Sequence, residues 1–176
     1  DLIGMARALL ADPELPNKAK EGRFEDIRIC TACCYCLDQV HSDINNVLNN
    51  FPVACAINAQ AGRETKYLIK PTAEAKKVTI IGGGPAGMEA ARVAALRGHK
   101  VTLYEKDNKL GGLLNVATIP PYMEEWVNLI NYLSHQVEKN GVQVKLGEEF
   151  TEATLERDRA EVVIMATGRT APEPDI

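Results

Sequence analysis

The stretch "VTIIGGGPAGMEAARVAALRGHKVTLYE" sets a glycine triplet, Gly82-x-Gly84-x-x-Gly87, between an apolar β-type run and a helix rich in small residues. Alone, such a triplet is a weak signal. Here it has its full context: a strand before it, a helix after it, and a second strand ending in an acid, Glu105. Each glycine has its own physical task. Gly82 permits the tight turn, Gly84 lets the backbone approach a pyrophosphate, and Gly87 lets helix and strand pack closely. The helix N-terminus then offers N–H groups and a positive dipole to phosphates. Glu105 can accept hydrogen bonds from an adenosine ribose, and its charge repels a 2′-phosphate. The stretch predicts a site for an ADP-containing cofactor; a glycine-rich turn with no ligand is the plainer alternative.

The surrounding pattern agrees. "KVTIIG", "KVTLYEK", "VQVKLG" and "AEVVIMATG" read as strands, while "PAGMEAARVAALRG" and "YMEEWVNLINYLSHQVEKNG" read as helices. In the second helix the spacing predicts a buried stripe of Met123, Trp126, Val127, Ile130, Leu133 and Val137, with Trp126 and the methionines as core residues. Strands alternating with helices over residues 77–176 predict a doubly wound α/β sheet. Residues 1–23 read as a strand end, "DLIGM", then short helical pieces broken at Asp12-Pro13 and Pro16, with Gly22 as a C-cap. A strand beginning at residue 1 has no earlier partner, so the chain is expected to be cut from something larger. Residues 24–76 hold the cysteines; "NNVLNN" and "IKPTAEAKK" lack periodicity and are expected to be connection.

"CTACCYCLD" places Cys30, Cys33, Cys34 and Cys36 within seven positions, and Cys55 follows downstream. An odd count with two adjacent cysteines fits a disulfide framework poorly. Zinc ribbons and fingers use two separated pairs, whereas a cubane accepts a tight triplet and a remote thiolate. Cys30-x2-Cys33-x2-Cys36 closed by Cys55 therefore favours an iron–sulfur cluster over a zinc ion or uncommitted structural thiols. Cys34 is left as a bystander. No apolar run approaches the ~18 residues of a membrane span, and the start lacks a basic region and a cleavage site. A reducing cytoplasm is thus the expected compartment. The net charge of −4 gives no reason to expect nucleic acid or an anionic membrane as partner.

With these motifs in order, a resemblance emerges. "GGGPAG" with the late turn "MATG" resembles flavoproteins of the disulfide-reductase-like type, in which the first dinucleotide fold holds FAD and a second holds NAD(P)H. The ordered set "DLIGMARALLADPELPNKAKEGRFEDIRICTACCYC", "CAINAQAGRE", "GGGPAGMEAA" and "YEKDNKLGGLLNVATIPPYMEEW" resembles the family of 2,4-dienoyl-CoA reductase, 2-enoate reductase and trimethylamine dehydrogenase, over nearly the whole chain. That resemblance implies a modular enzyme: a (β/α)8 (TIM) barrel with FMN, a [4Fe–4S] cluster, then FAD and NAD(P)H domains. Residues 1–23 would be the last βα unit of the barrel, 24–76 the irregular iron–sulfur segment and linker, and 77–176 the first part of an incomplete, Rossmann-like FAD domain. Ala6 and Arg7 would hold the FMN phosphate; an arginine at a helix start on the surface is the plainer reading of Arg7. FAD contacts would fall at Gly82, Gly84, Pro85, Ala86, Gly87, Glu105, Lys106, Gly112, Leu113, Phe150, Ala166, Thr167 and Gly168, and the cluster ligands at Cys30, Cys33, Cys36 and Cys55.

The implied activity is reduction of an activated C=C bond, of 2-enoate or 2,4-dienoyl-CoA type, with electrons passing from NAD(P)H to FAD, cluster, FMN and substrate. The catalytic acid and substrate pocket would belong to the barrel, outside this chain. Two alternatives stand beside it: an amine dehydrogenase of the trimethylamine dehydrogenase type, with ADP alone in the dinucleotide site, and a non-catalytic electron-transfer module. Some positions depart from the family pattern. The x2/x2 triplet follows the amine dehydrogenases, whereas dienoyl-CoA reductases use x2/x3, which would put a ligand at Leu37. Cys34 has no counterpart, Leu113 stands where Gln is frequent, and Met123 stands where dienoyl-CoA reductase has a Lys.

Overall fold

A computed structural model describes residues 2–42 and 53–169. Its centre is a four-stranded sheet of β1 (Lys77–Ile81), β2 (Lys100–Glu105), β3 (Gln143–Leu146) and β4 (Val162–Met165), ordered β3-β2-β1-β4. Every pairing is parallel, with Ile80 opposite Leu103 and Ile164. Parallel neighbours require crossovers. α4 (Pro85–Leu96) joins β1 to β2, α5 (Leu114–Ala117) and α6 (Trp126–Lys139) lie between β2 and β3, and α7 (Glu152–Asp158) precedes β4. Because β2 and β4 flank β1 on opposite sides, the order reverses at the carboxyl end of β1. In open α/β sheets a crevice for ligands lies at such a point. The doubly wound α/β class expected from the sequence is the one found.

Strand alternation divides the two faces. Val101 and Leu103 of β2 and Val78 and Ile80 of β1 join Met88 and Ala91 of α4 and Leu129, Leu133 and Val137 of α6 in one buried core. Tyr104 points the other way. Its hydroxyl is hydrogen-bonded to Asp158 at the end of α7, and its ring meets Phe150 edge-on at 5.3 Å between centroids. Burial raises the Tyr104 hydroxyl above the ordinary tyrosine value, and the bond to Asp158 adds to it. α7 itself starts with a capping box, Thr151 accepting from the Thr154 N–H.

The second long helix, α6, begins later than the sequence pattern suggests. α6 starts at Trp126, so Met123 lies in the preceding turn and is exposed. The buried stripe is Leu129, Tyr132, Leu133, Gln136 and Val137, which leaves Val127 outside and Trp126 only partly buried. Tyr122 takes left-handed backbone, φ 68°, which breaks the helix expected to begin there. Among the methionines Met88 is fully buried, but Met5, Met123 and Met165 are exposed.

The N-terminal residues also differ from expectation. Residues 2–5 form no strand, and Leu2 and Ile3 lie almost wholly in solvent. A strand needs a hydrogen-bonded neighbour, and none is offered to "LIGM" here. The helical pieces are present as α1 (Arg7–Ala11) and α2 (Leu15–Lys20), and Gly22 follows at φ 73°, as a C-terminal cap requires. A 3₁₀ turn (Phe24–Asp26) and α3 (Tyr35–Ser42) bracket the cysteine loop. "IKPTAEAKK" has no regular structure up to β1; "NNVLNN" lies outside the described residues. Among the described residues no helix is long and apolar enough to cross a membrane.

Candidate functional site

Two constellations meet in this fold, and the glycine turn is the more complete. Gly82 adopts φ 108°, a conformation that favours glycine, and a side chain there would run into the Ala166 carbonyl at the end of β4. A methyl on Gly87 would overlap the Gly82 carbonyl oxygen, so helix α4 can sit this close to β1 only with glycine at that position. Gly84 is the N-cap of α4, a side chain there would point into open space, and no side chain caps the helix. The first-turn N–H groups have no intrahelical acceptor, and Pro85 at the first helical position has none to satisfy. These are the features of an anion cradle, and they fit a pyrophosphate.

A second loop roofs the cradle. The Gly111 N–H donates to the Gly83 carbonyl at 2.9 Å, and a methyl on Gly112 would stand 3.1 Å from the Gly84 Cα. Leu113 follows and is exposed. Glu105, buried at the end of β2, ties the cradle together: Oε2 accepts from the Gly83 N–H at 2.6 Å and Oε1 from the Asp107 N–H at 2.9 Å. Each carboxylate oxygen can accept twice, so a ribose remains within Glu105's capacity. Sequence reasoning found the residue but not its backbone bonds, which depend on loop geometry. Lys106 is exposed beside it, and Ala166, Thr167 and Gly168 form the rim after β4. Phe150 stands apart, with its ring on the Tyr104 face.

The second constellation is the cysteine loop. Ala32 and Cys34 take left-handed backbone, φ 52° and 58°, in the irregular stretch before α3, and Cys36 lies in the first turn of that helix. All five cysteines are free, Cys33 is exposed and the others half-buried. The Cys34 thiol lies 3.4 Å from the Ala32 carbonyl oxygen and receives a hydrogen bond from Arg7 Nη1 at 3.5 Å. Arg7 is thus an exposed arginine at the start of α1, after Ala6, and it reaches the cysteine loop. Cys34 is a free, half-buried thiol.

Among the described residues no three His, Cys, Asp or Glu side chains gather closely enough to hold one metal ion. A cubane asks for a different arrangement, one thiolate on each of four irons rather than four on a single ion. The donor chemistry fits that group, and one further observation agrees. Among the described residues, two buried side-chain polar atoms lack a hydrogen-bond partner, Arg28 Nε and Thr31 Oγ1, and they flank Cys30. Buried donors without acceptors are rare in folded proteins, and here two of them border the proposed ligand loop.

The cysteine loop is anchored to the dinucleotide fold by its own lead-in. Arg28 is buried; Nη2 donates to the Tyr132 hydroxyl at 3.1 Å, its guanidinium lies 5.0 Å over the Tyr132 ring, and Glu89 of α4 stands 3.9 Å away. Asp26 accepts from Gln136 Nε2 at 3.0 Å, meets His135 at 3.0 Å, and is paired with Lys139 and Arg23. Burial works to raise the Asp26 carboxyl, but the bonds from Lys139, His135 and Arg23 outweigh it and hold the group well below the usual carboxylate range. The partners on α6 were not legible from spacing, since they lie more than 100 residues away in sequence.

Comparison with known proteins converges on one group. A family model described as FAD-dependent oxidoreductase matches residues 77–174. The chain is 41% identical over its whole length to a metal reductase of Desulforamulus reducens, and covers 26% of that protein. It is 40% identical over 96% of its length to a cinnamate reductase of Clostridium sporogenes, and covers 24% of it. The solved structure of 2-naphthoyl-CoA reductase in complex with 2-naphthoyl-CoA superposes with a TM-score of 0.87 at 38% identity, over 98% of this chain and 26% of that one. The chain spans about a quarter of the length of the curated relatives it matches.

Proposed function

Because this chain belongs to the FAD-dependent oxidoreductase family, we propose that it is the segment of a longer NAD(P)H-dependent reductase in which an FAD site and a [4Fe–4S] site meet. The substrate class is an activated C=C bond, of 2-enoate or 2,4-dienoyl-CoA type. When bound, the flavin supplies hydride and single-electron chemistry, and the cluster supplies the one-electron exchange that links FAD to an FMN in an upstream barrel.

The residues divide that work. The first turn of α4 holds the pyrophosphate through its free N–H groups, Gly84 leaves room for it, and Glu105 orients the ribose. Gly112 and Leu113 close over the cofactor, and Ala166 to Gly168 form the opposite rim. Ala6 and Arg7 hold the FMN phosphate, while Cys30, Cys33, Cys36 and Cys55 hold the cluster. Residues 1–23, 24–76 and 77–176 are then barrel end, cluster segment and FAD domain. Five free thiols fit a reducing cytoplasm.

The observation that carries this reading is the Arg28 contact. Arg28 lies two residues before Cys30, and it rests on Tyr132 of α6 and beside Glu89 of α4, the helix whose N-terminus forms the phosphate cradle. Cysteine loop and dinucleotide site are thereby held at one fixed separation, as electron exchange between two centres requires. The test is an anaerobic titration of the full-length protein. NADH or NADPH should bleach its flavins, and cinnamate or a dienoyl-CoA should restore them. Residues 1–176 alone should turn over neither substrate. Bleaching by an amine but not by NAD(P)H would establish the amine dehydrogenase alternative, and bleaching by neither would leave a non-catalytic module.

A further inference from the structure

Thr31 is 4% exposed, and its Oγ1 has no hydrogen-bond partner in the protein. It directly follows Cys30, and Ala32 after it takes left-handed backbone, φ 52°. A buried threonine hydroxyl in irregular backbone ordinarily bonds to a nearby backbone group; this one does not. The other orphaned side-chain atom among the described residues, Arg28 Nε, is a donor too. Both unmet donors stand within two positions of Cys30 in the chain, where an acceptor-rich group would satisfy them.

We propose that the Thr31 hydroxyl donates a hydrogen bond to a sulfur of the cluster and thereby raises its reduction potential. The proposal rests on the cluster assignment above and deepens it. Cluster sulfurs are acceptors, and reduction adds negative charge to them, so a fixed O–H donor favours the reduced state. Hydrogen bonds around metal ligands are among the means by which a protein sets such potentials. Thr31 would act on the potential alone and touch no substrate.

The experiment is a redox titration of the full-length protein, followed by the electron paramagnetic resonance signal of the reduced cluster. Thr31→Val keeps the side-chain shape and removes the donor. It should retain about four irons per chain and shift the reduction equilibrium roughly tenfold toward the oxidised form, which is about 59 mV lower for a one-electron couple. Thr31→Ser should restore the wild-type potential. An unchanged potential in Thr31→Val with its cluster intact overturns the proposal. If Thr31→Val fails to hold iron, the Ser and Ala variants decide: a lower potential in Ala than in Ser supports the proposal, and equal potentials overturn it. Absence of iron from the wild-type protein, read before any substitution, overturns the cluster assignment and Thr31's role with it.

Discussion

Glu105 is the residue at which the cofactor reading can be tested most sharply, because its carboxylate serves two ends at once. Inside the fold it accepts from Gly83 N–H and Asp107 N–H, at 2.6 and 2.9 Å. One lone pair remains on each oxygen, and those are the acceptors a ribose would use. Glu105→Ala removes both sets. The Gly83 N–H lies in a buried turn and loses its partner, which costs about 1–3 kcal/mol of stability. The lost bonds between ribose and a charged group are worth about 1.5–3 kcal/mol on binding, so FAD should bind roughly tenfold or more weakly. The assay is release and quantification of both flavins from the purified full-length protein, with a melting curve and an FAD titration of the stripped protein. FAD should fall while FMN stays stoichiometric, and the melting temperature should drop. Unchanged FAD affinity with a lowered melting temperature would reduce Glu105 to a brace for the turn. Equal loss of FAD and FMN would make it a general folding residue.

Two further outcomes follow. Cys34→Ser, purified anaerobically, should keep about four irons per chain, whereas Ser at Cys30, Cys33, Cys36 or Cys55 should lose or degrade the cluster with FAD still reducible. Iron lost from Cys34→Ser and kept in Cys33→Ser would show the register to be Cys30, Cys34, Cys36. Asp26→Asn should weaken the attachment of the cysteine segment to α6 by about 1.5–3 kcal/mol at neutral pH, read as faster native-state hydrogen exchange in Trp126–Lys139. Because the folded Asp26 carboxyl lies well below its unfolded value near 3.9, its contribution is complete above that pH and is lost as pH falls below it. The difference between wild type and Asp26→Asn should therefore shrink on acidification from about pH 4 downward, and a constant difference would refute the assignment.

The dinucleotide fold was legible because its determinants are local. A glycine needed for a steric approach, a helix opening at Pro85 and an acid closing β2 all announce themselves within 24 positions, from Gly82 to Glu105. The cysteine spacing was legible for the same reason. What escaped was whatever depends on distant partners. The stripe of α6 was misphased because the helix starts only at Trp126, after a left-handed Tyr122, which leaves Met123 and Val127 outside the core and brings Tyr132 and Gln136 in. The "DLIGM" strand was read from composition, but strand formation is decided by a neighbour, and residues 2–5 have none here.

The same distinction bears on how the two sites cooperate. By pattern alone, the cysteine segment is set apart from the α/β sheet by an irregular linker, and nothing in the linker would fix their separation. By contact, Asp26 and Arg28 fasten the lead-in of that segment to α6 and α4 with buried, charge-assisted bonds. Such bonds add little net stability over apolar packing, since desolvation offsets much of their attraction. Their directionality is the gain: an Arg fork on a tyrosine hydroxyl and ring, or a carboxylate shared among an amide, an imidazole and an ammonium, is satisfied in one placement only. A hydrophobic patch would allow the loop to slide. The electron relay proposed above would need its centres at a fixed separation, and the buried charges at Asp26 and Arg28 are where this chain would fix it.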